Sequence, residues 1–168
     1  DRKSLTLYEG MTGIAENAFI NVKGRPHTIT AVVEVPKDGA NGVIIAQAGR
    51  FGGWSLYMKD GRIHEVYNFG GLQRTTVSSP HDLPPGKHTL RYEFTPEAAK
   101  PGSAATSRLS VDGKPVGEAR IPQTMPFAYS ADEGVDVGTD NETPVTEDYK
   151  ERHNKFTGKI HKVTVELK

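Results

Sequence analysis

His27-Thr28-Ile29-Thr30-Ala31-Val32-Val33-Glu34-Val35 decides the fold, because Ile29, Ala31, Val33 and Val35 fall on one side of an extended chain and Thr28, Thr30 and Glu34 on the other. Period-two alternation of this kind is the mark of a strand with one apolar and one wet face. The pattern returns downstream. In residues 87–95, Leu90, Tyr92 and Phe94 oppose Thr89, Arg91 and Glu93; residues 106–112 place Leu109 and Val111 on one side; residues 159–168 align Val163, Val165 and Leu167 against Lys162, Thr164 and Glu166.

Between these stretches, residues 42–49 form a short continuous apolar run suited to a central strand buried on both faces. Residues 54–59 carry large side chains and are expected to lie deep as well. Asp60-Gly61 and Asp112-Gly113 each separate two strand-like runs, and Asp-Gly supplies the positive φ of tight hairpin turns. Two antiparallel hairpins are therefore expected, near 54–68 and 106–121. Residues 96–100 are the best helix candidate, and Pro101-Gly102 interrupts them, so helix is expected only as one or two short turns. Eighteen Gly and eleven Pro among many short strands suit a sandwich or barrel. The reading is an all-β, two-sheet antiparallel β-sandwich occupying residues 1–168 as one domain, since a chain of this length buries enough surface in one core.

The longest apolar run, residues 43–46, is far short of the roughly 20 residues that cross a bilayer as a helix, so no membrane-spanning segment is expected. The start, Asp1-Arg2-Lys3-Ser4, has neither an initiator Met nor a leader-like apolar stretch, which suggests a piece of a longer chain. Lys plus Arg and Asp plus Glu both number 21, and this balance provides no general pull toward nucleic acid. Cys is absent, which removes disulfides, thiolate metal sites and Cys nucleophiles while leaving the compartment open.

Several constellations invite a chemical reading. Gly49-Arg50-Phe51-Gly52-Gly53 is Gly-rich but lacks the Lys-Ser/Thr pair and following helix of a phosphate loop, so a tight strand connection with Arg50 solvated or paired is expected. Trp54, Tyr57 and Tyr67 could supply an aromatic platform for a sugar ring. Trp54 shares its side with Leu56 and Met58 and is assigned to the core, which leaves Tyr57 as the more exposed candidate beside Tyr67 and Arg50. Residues 126–149 hold seven carboxylates and no Lys or Arg, and read as a long acidic loop. Asp132, Asp136 and Asp140 are candidate Ca²⁺ ligands there, although their spacing is not that of an EF-hand.

Other arrangements argue against catalysis. Glu34, Glu65, Glu93, Glu118 and Glu166 are isolated on strands and read as outward-facing, with none of the paired spacing of a sandwich glycosidase. The six His show no zinc-ligand spacing, and Ser78-Ser79-Pro80-His81-Asp82 reads as a turn, since loop neighbours cannot form an oriented nucleophile relay.

Gly42-Val43-Ile44-Ile45-Ala46-Gln47, Gly49-Arg50-Phe51-Gly52-Gly53-Trp54-Ser55-Leu56-Tyr57, Tyr67-Asn68-Phe69 and Gly71-Leu72 together resemble the C-terminal domain of large bacterial arylsulfatases. The likeness continues through Ser130-Ala131-Asp132-Glu133, Asp136-Val137-Gly138, Pro144-Val145, Tyr149 and Asn154-Lys155-Phe156-Thr157-Gly158, so that it runs from about Met11 to the end. It implies a concanavalin-A-like jelly roll appended to an alkaline-phosphatase-like domain. That domain hydrolyses sulfate esters with a formylglycine, made in a Cys/Ser-x-Pro-x-Arg motif, and a Ca²⁺ ion. Here the motif is absent, with Asp82 where Arg is required, so no catalytic residue carries over. The expectation is a non-catalytic domain without a resident cofactor, partnered by the sulfatase catalytic domain of its own chain. A carbohydrate-binding module using Arg50, Tyr57, Tyr67 and the acidic loop is the alternative.

Overall fold

The computed structural model describes residues 2–129, 134–141 and 143–168. Eleven strands account for the regular structure: β1 (Ser4–Leu7), β2 (His27–Val35), β3 (Gly42–Gly49), β4 (Gly52–Lys59), β5 (Arg62–Phe69), β6 (Gln73–Ser78), β7 (Gly86–Pro96), β8 (Ala105–Val111), β9 (Lys114–Ile121), β10 (Val135–Val137) and β11 (Lys159–Leu167). A single 3₁₀ turn at Glu16–Ala18 is the helical content of the described residues. All strand pairings are antiparallel. One sheet has six strands in the order β1-β11-β2-β7-β8-β9, the other five in the order β10-β3-β4-β5-β6. This is the two-sheet antiparallel sandwich that the alternation predicts.

Both expected hairpins form. Asp60 and Gly61 (φ 53° and 78°) join β4 to β5, and Asp112 and Gly113 (φ 50° and 83°) join β8 to β9, each pair in the left-handed region that such two-residue turns require. Residues 96–100 close β7 and enter a turn with no helix.

The main core lies between the sheets. Ile29, Ala31, Val33 and Val35 of β2 meet Leu90, Tyr92 and Phe94 of β7 and Val163 and Val165 of β11 on one side, and Ile45, Trp54, Leu56, Met58 and Ile63 on the other. At roughly 1.5–3 kcal/mol for each fully buried large apolar side chain, this layer is the principal source of stability. Trp54 sits in it as expected, 3 % exposed, with its indole N–H donating to Gln47 Oε1 at 3.0 Å.

A second, smaller core covers the outer face of the five-stranded sheet. Val43, Ala46, Tyr57 and Val66 point outward from β3, β4 and β5 and are sealed by Val145. Residues 139–141 and 143–158, which we call the strap, lie across this face. The expected acidic loop at 126–149 is corrected at one point: its residues 135–137 form β10, which pairs with β3, and the mostly exposed residues that follow bury Val145 against the sheet. By contrast, the outer face of the six-stranded sheet is open, with Glu34, Thr89, Arg91, Arg108, Glu118, Lys162 and Glu166 exposed.

Candidate functional site

Burial of both faces of β4 and β5 overturns part of the sequence reading of the site. Tyr57 is 1 % exposed and Tyr67 is 4 % exposed, so neither offers a platform to a sugar. The reason is physical: alternation assigns a residue to a face but does not say what covers that face, and here the strap covers it. Tyr57 stacks on His64 with ring centroids 5.2 Å apart, and burial pushes its hydroxyl pKa up. Tyr67 points into the opposite, inter-sheet core, where its oxygen accepts a hydrogen bond from the Met125 backbone N–H at 2.9 Å. Of the three expected binding residues only Arg50 is exposed, at the β3–β4 connection.

The aspartates of the acidic stretch serve the strap. Asp136 accepts from the backbone N–H groups of Gly13 (2.7 Å) and Asn141 (2.9 Å). Asp140 accepts from the Val145 N–H at 3.1 Å and from the Tyr149 hydroxyl at 2.6 Å, a hydroxyl that also lies 3.0 Å from Ser55 Oγ. Asp132 lies outside the described residues. Among the described residues no group of three or more His, Asp or Glu side chains converges in a way that could hold a metal ion.

Asn68 and Asn154 are the junctions that sequence reading missed. The Asn68 side-chain amide donates to the carbonyls of Arg50 (2.9 Å), Val145 (2.9 Å) and Gly49 (3.3 Å), and its oxygen accepts from Gly71 N–H at 2.8 Å. One residue thus joins strap, β3–β4 turn and β5–β6 turn. Asn154 accepts from Asp140 N–H and donates to the carbonyls of Asp140 and Lys150. A buried Asn within a strand, as in Tyr67-Asn68-Phe69, was the available signal, because an unpaired buried amide is costly and must find partners.

Glu65, expected to face outward, is fully buried between the sheets. It stands on β5 between Ile63 and Tyr67, on the inward side of the strand. Neither carboxyl oxygen completes a hydrogen bond, although the Tyr92 and Ser107 hydroxyls, themselves 2.9 Å apart, are its polar neighbours. Burial pushes its pKa well above the usual carboxylate range, and the two hydroxyls only partly oppose that shift.

Two of the accessible surface regions among the described residues bear on binding. On the open face of the six-stranded sheet a cleft of about 580 Å³ is lined by Thr30, Thr89, Arg91, Arg108 and Ser110, with Glu93 and Glu166 beside them. The guanidiniums there make only long ion pairs, Arg91 to Glu93 at 3.7 Å and Arg108 to Glu118 at 3.5 Å. At one end of the sandwich, Phe51, Leu72 and Phe127 are 64 %, 85 % and 77 % exposed. A side-chain carbon placed on Gly71 would stand 3.6 Å from the Phe51 ring, one on Gly52 would overlap the Tyr129 carbonyl, and one on Gly70 would lie 3.8 Å from Met125 Sδ. The 50–53 and 70–72 turns and the 122–129 segment therefore form one rim.

Comparison with solved structures places the fold among concanavalin-A-like, laminin-G-type sandwiches. The chain superposes on domains LG4-5 of the mouse laminin α1 chain with a TM-score of 0.58 and 18 % identity, over 98 % of its own length and 39 % of that chain. It superposes on a leech intramolecular trans-sialidase complexed with 2,7-anhydro-Neu5Ac with a TM-score of 0.60 and 15 % identity, over 98 % and 25 %. A botulinum neurotoxin type C structure, from a protein whose cell entry is dependent upon interaction with two ganglioside molecules, gives a TM-score of 0.58 and 10 % identity, over 98 % and 43 %. The chain thus spans less than half the length of each of these proteins. At such identities the likeness concerns the fold. No protein-family model matches the sequence, and neither does any curated protein.

Proposed function

We propose that this chain is a non-catalytic β-sandwich domain of the arylsulfatase type, which packs on a sulfate-ester-hydrolysing catalytic domain and shapes access to it. The observation that carries this reading is where the resemblance falls in the fold. Asp136-Val137-Gly138, Pro144-Val145, Tyr149 and Asn154 to Gly158 belong to β10 and the strap, and Tyr67-Asn68-Phe69 is the seat into which Asn68 draws Val145. Several of the strings that suggest the family are thus ones that close the front of this sandwich, and those of β3 and β4 form the sheet beneath it. A filled front face suits a scaffold better than an enzyme, since a reacting centre needs a cleft with convergent acids, bases or a nucleophile.

Purified chain should release no product from aryl sulfates such as 4-nitrophenyl sulfate, and the coding sequence upstream should specify Cys/Ser-x-Pro-x-Arg. Hydrolysis by the chain alone, or an upstream region without that motif, would count against the reading.

A second reading, a glycan-binding module, is favoured by the open sheet face, where Arg91, Arg108 and the hydroxyls of Thr30, Thr89 and Ser110 line a cleft. It also draws on the ligands named for the leech and botulinum structures. Titration with sulfated and neutral oligosaccharides, against Arg91→Ala and Arg108→Ala, tests it. Binding that survives both substitutions would remove this face as the site.

A further inference from the structure

We infer that the rim formed by Phe51, Leu72 and Phe127 is the surface that docks this chain onto its catalytic partner, an inference that rests on the sulfatase reading above. Of the five large apolar side chains that stand exposed among the described residues, three gather here, on three different loops. Large apolar residues clustered at one end cost solubility and contribute nothing to the folding of the isolated chain, so they mark a surface that is covered in the working protein.

The cations around the rim indicate the chemistry of what covers it. Arg50 precedes Phe51, and Arg25 and Lys100 line a cleft of about 500 Å³ with Pro126, next to Phe127. None of the three makes an ion pair with a described residue, whereas the carboxylates of the same region are engaged, Glu16 with Lys23 and Glu97 with Arg120. The complementary surface is therefore an apolar socket bordered by carboxylates.

A fixed shape favours a protein over a lipid surface. Gly52 permits a backbone contact with the Tyr129 carbonyl that no Cβ would allow, Gly71 sits at a positive φ of 75° close to the Arg50 carbonyl, and Asn68 ties the 50 and 71 turns together through its amide. The tips are preorganised, which lowers the entropic cost of docking into a matched socket; insertion among lipid tails requires no such match.

Hydrogen exchange on the complete polypeptide and on this 168-residue chain tests the inference, with Phe51→Ser/Leu72→Ser/Phe127→Ser as the variant and Arg50→Glu as a milder second one. In the complete polypeptide, amides of 50–53, 70–72 and 122–129 should exchange roughly tenfold or more slowly than in the chain alone. That protection should vanish in the triple variant and weaken in the charge reversal, while β2 and β7 stay equally protected throughout. Equal exchange of these loops in both contexts, with slowing elsewhere on the surface, overturns the docking site and leaves the sulfatase reading standing. An upstream sequence without a sulfatase domain removes both. Phe51-dependent sedimentation of the chain with phosphatidylserine/phosphatidylcholine vesicles would assign the rim to a membrane and overturn it too.

Discussion

The Tyr57 hydroxyl donates to Asp148 Oδ2 at 2.5 Å, tying the centre of the five-stranded sheet to the strap that covers it. The bond holds the Asp148 carboxyl below the usual carboxylate range, with Lys59 Nζ, 3.6 Å from Oδ1, adding to the effect. A carboxylate with a depressed folded-state pKa contributes stability that is present above its unfolded pKa and lost as pH falls through the folded one.

Tyr57→Phe removes the donor and keeps the ring. The expected cost is about 1.5 kcal/mol at pH 7, the low end for a bond to a charged group because Asp148 is partly solvated. The variant should also lose less stability than wild type on acidification below about pH 4, where the wild-type bond is itself given up. Calorimetric melting between pH 2 and 7 reads both effects; parallel curves for the two proteins would contradict the account.

Glu65 predicts the opposite slope. Its folded pKa lies above the unfolded one, so the native state keeps a proton that the unfolded chain releases. The stability contributed by the neutral form is fully present below the unfolded pKa and declines as pH rises toward the folded value, at up to about 1.4 kcal/mol per pH unit. Glu65→Leu should melt higher than wild type at pH 8 and show none of this decline. A variant that melts lower at pH 8, with the slope unchanged, would show that the carboxyl is satisfied in a way its surroundings do not indicate.

His27 supplies a third titration. Burial lowers its pKa to about 4, while its ring stacks on Phe94 at 4.9 Å and Nδ1 stands 2.7 Å from the Arg25 carbonyl oxygen. A base with a depressed folded pKa contributes stability that is full above the unfolded value of about 6.5 and lost as pH falls toward 4, here about 3 kcal/mol over that window. His27→Gln should flatten the melting temperature between pH 6.5 and 4, and NMR of the wild-type imidazole should find it neutral at pH 5.

Asn68→Ala removes the amide that serves the carbonyls of Gly49, Arg50 and Val145 together with the Gly71 N–H. Losing these bonds together should cost about 2–4 kcal/mol, with the Val145 carbonyl keeping only the Arg74 Nε–H at 3.0 Å. Limited proteolysis should then cut within 139–158 well before the strands, because the strap loses one of its attachments to the sheet, beside those of Tyr57 and Arg74. Cleavage that begins instead in β2 or β7 would place the weak point elsewhere.

Strand positions were legible wherever a strand has one wet face. Ile29 to Val35, Leu90 to Phe94 and Val163 to Val165 announce their inward sides because Thr, Arg and Glu stand opposite, and the two Asp-Gly turns locate their hairpins. The strands β1 and β10 carry too few residues for a period to register, and β6, with Val77 as its one apolar residue, shows no alternation. Glu65 was misread for a related reason: a carboxylate between apolar neighbours is ordinarily on the surface, since burial of an unpaired acid is costly.

The two-sheet antiparallel sandwich is readable from the residues alone, because alternation is a local property and each strand carries its own copy of it. The absence of the sulfatase nucleophile motif is readable there too. The burial of Tyr57 and Tyr67, the strap formed by part of the acidic stretch, and the rim shared by Phe51, Leu72 and Phe127 emerge from the folded arrangement. Those facts depend on which segment, distant along the chain, comes to lie over a given face, and no spacing within a single strand encodes what will cover it.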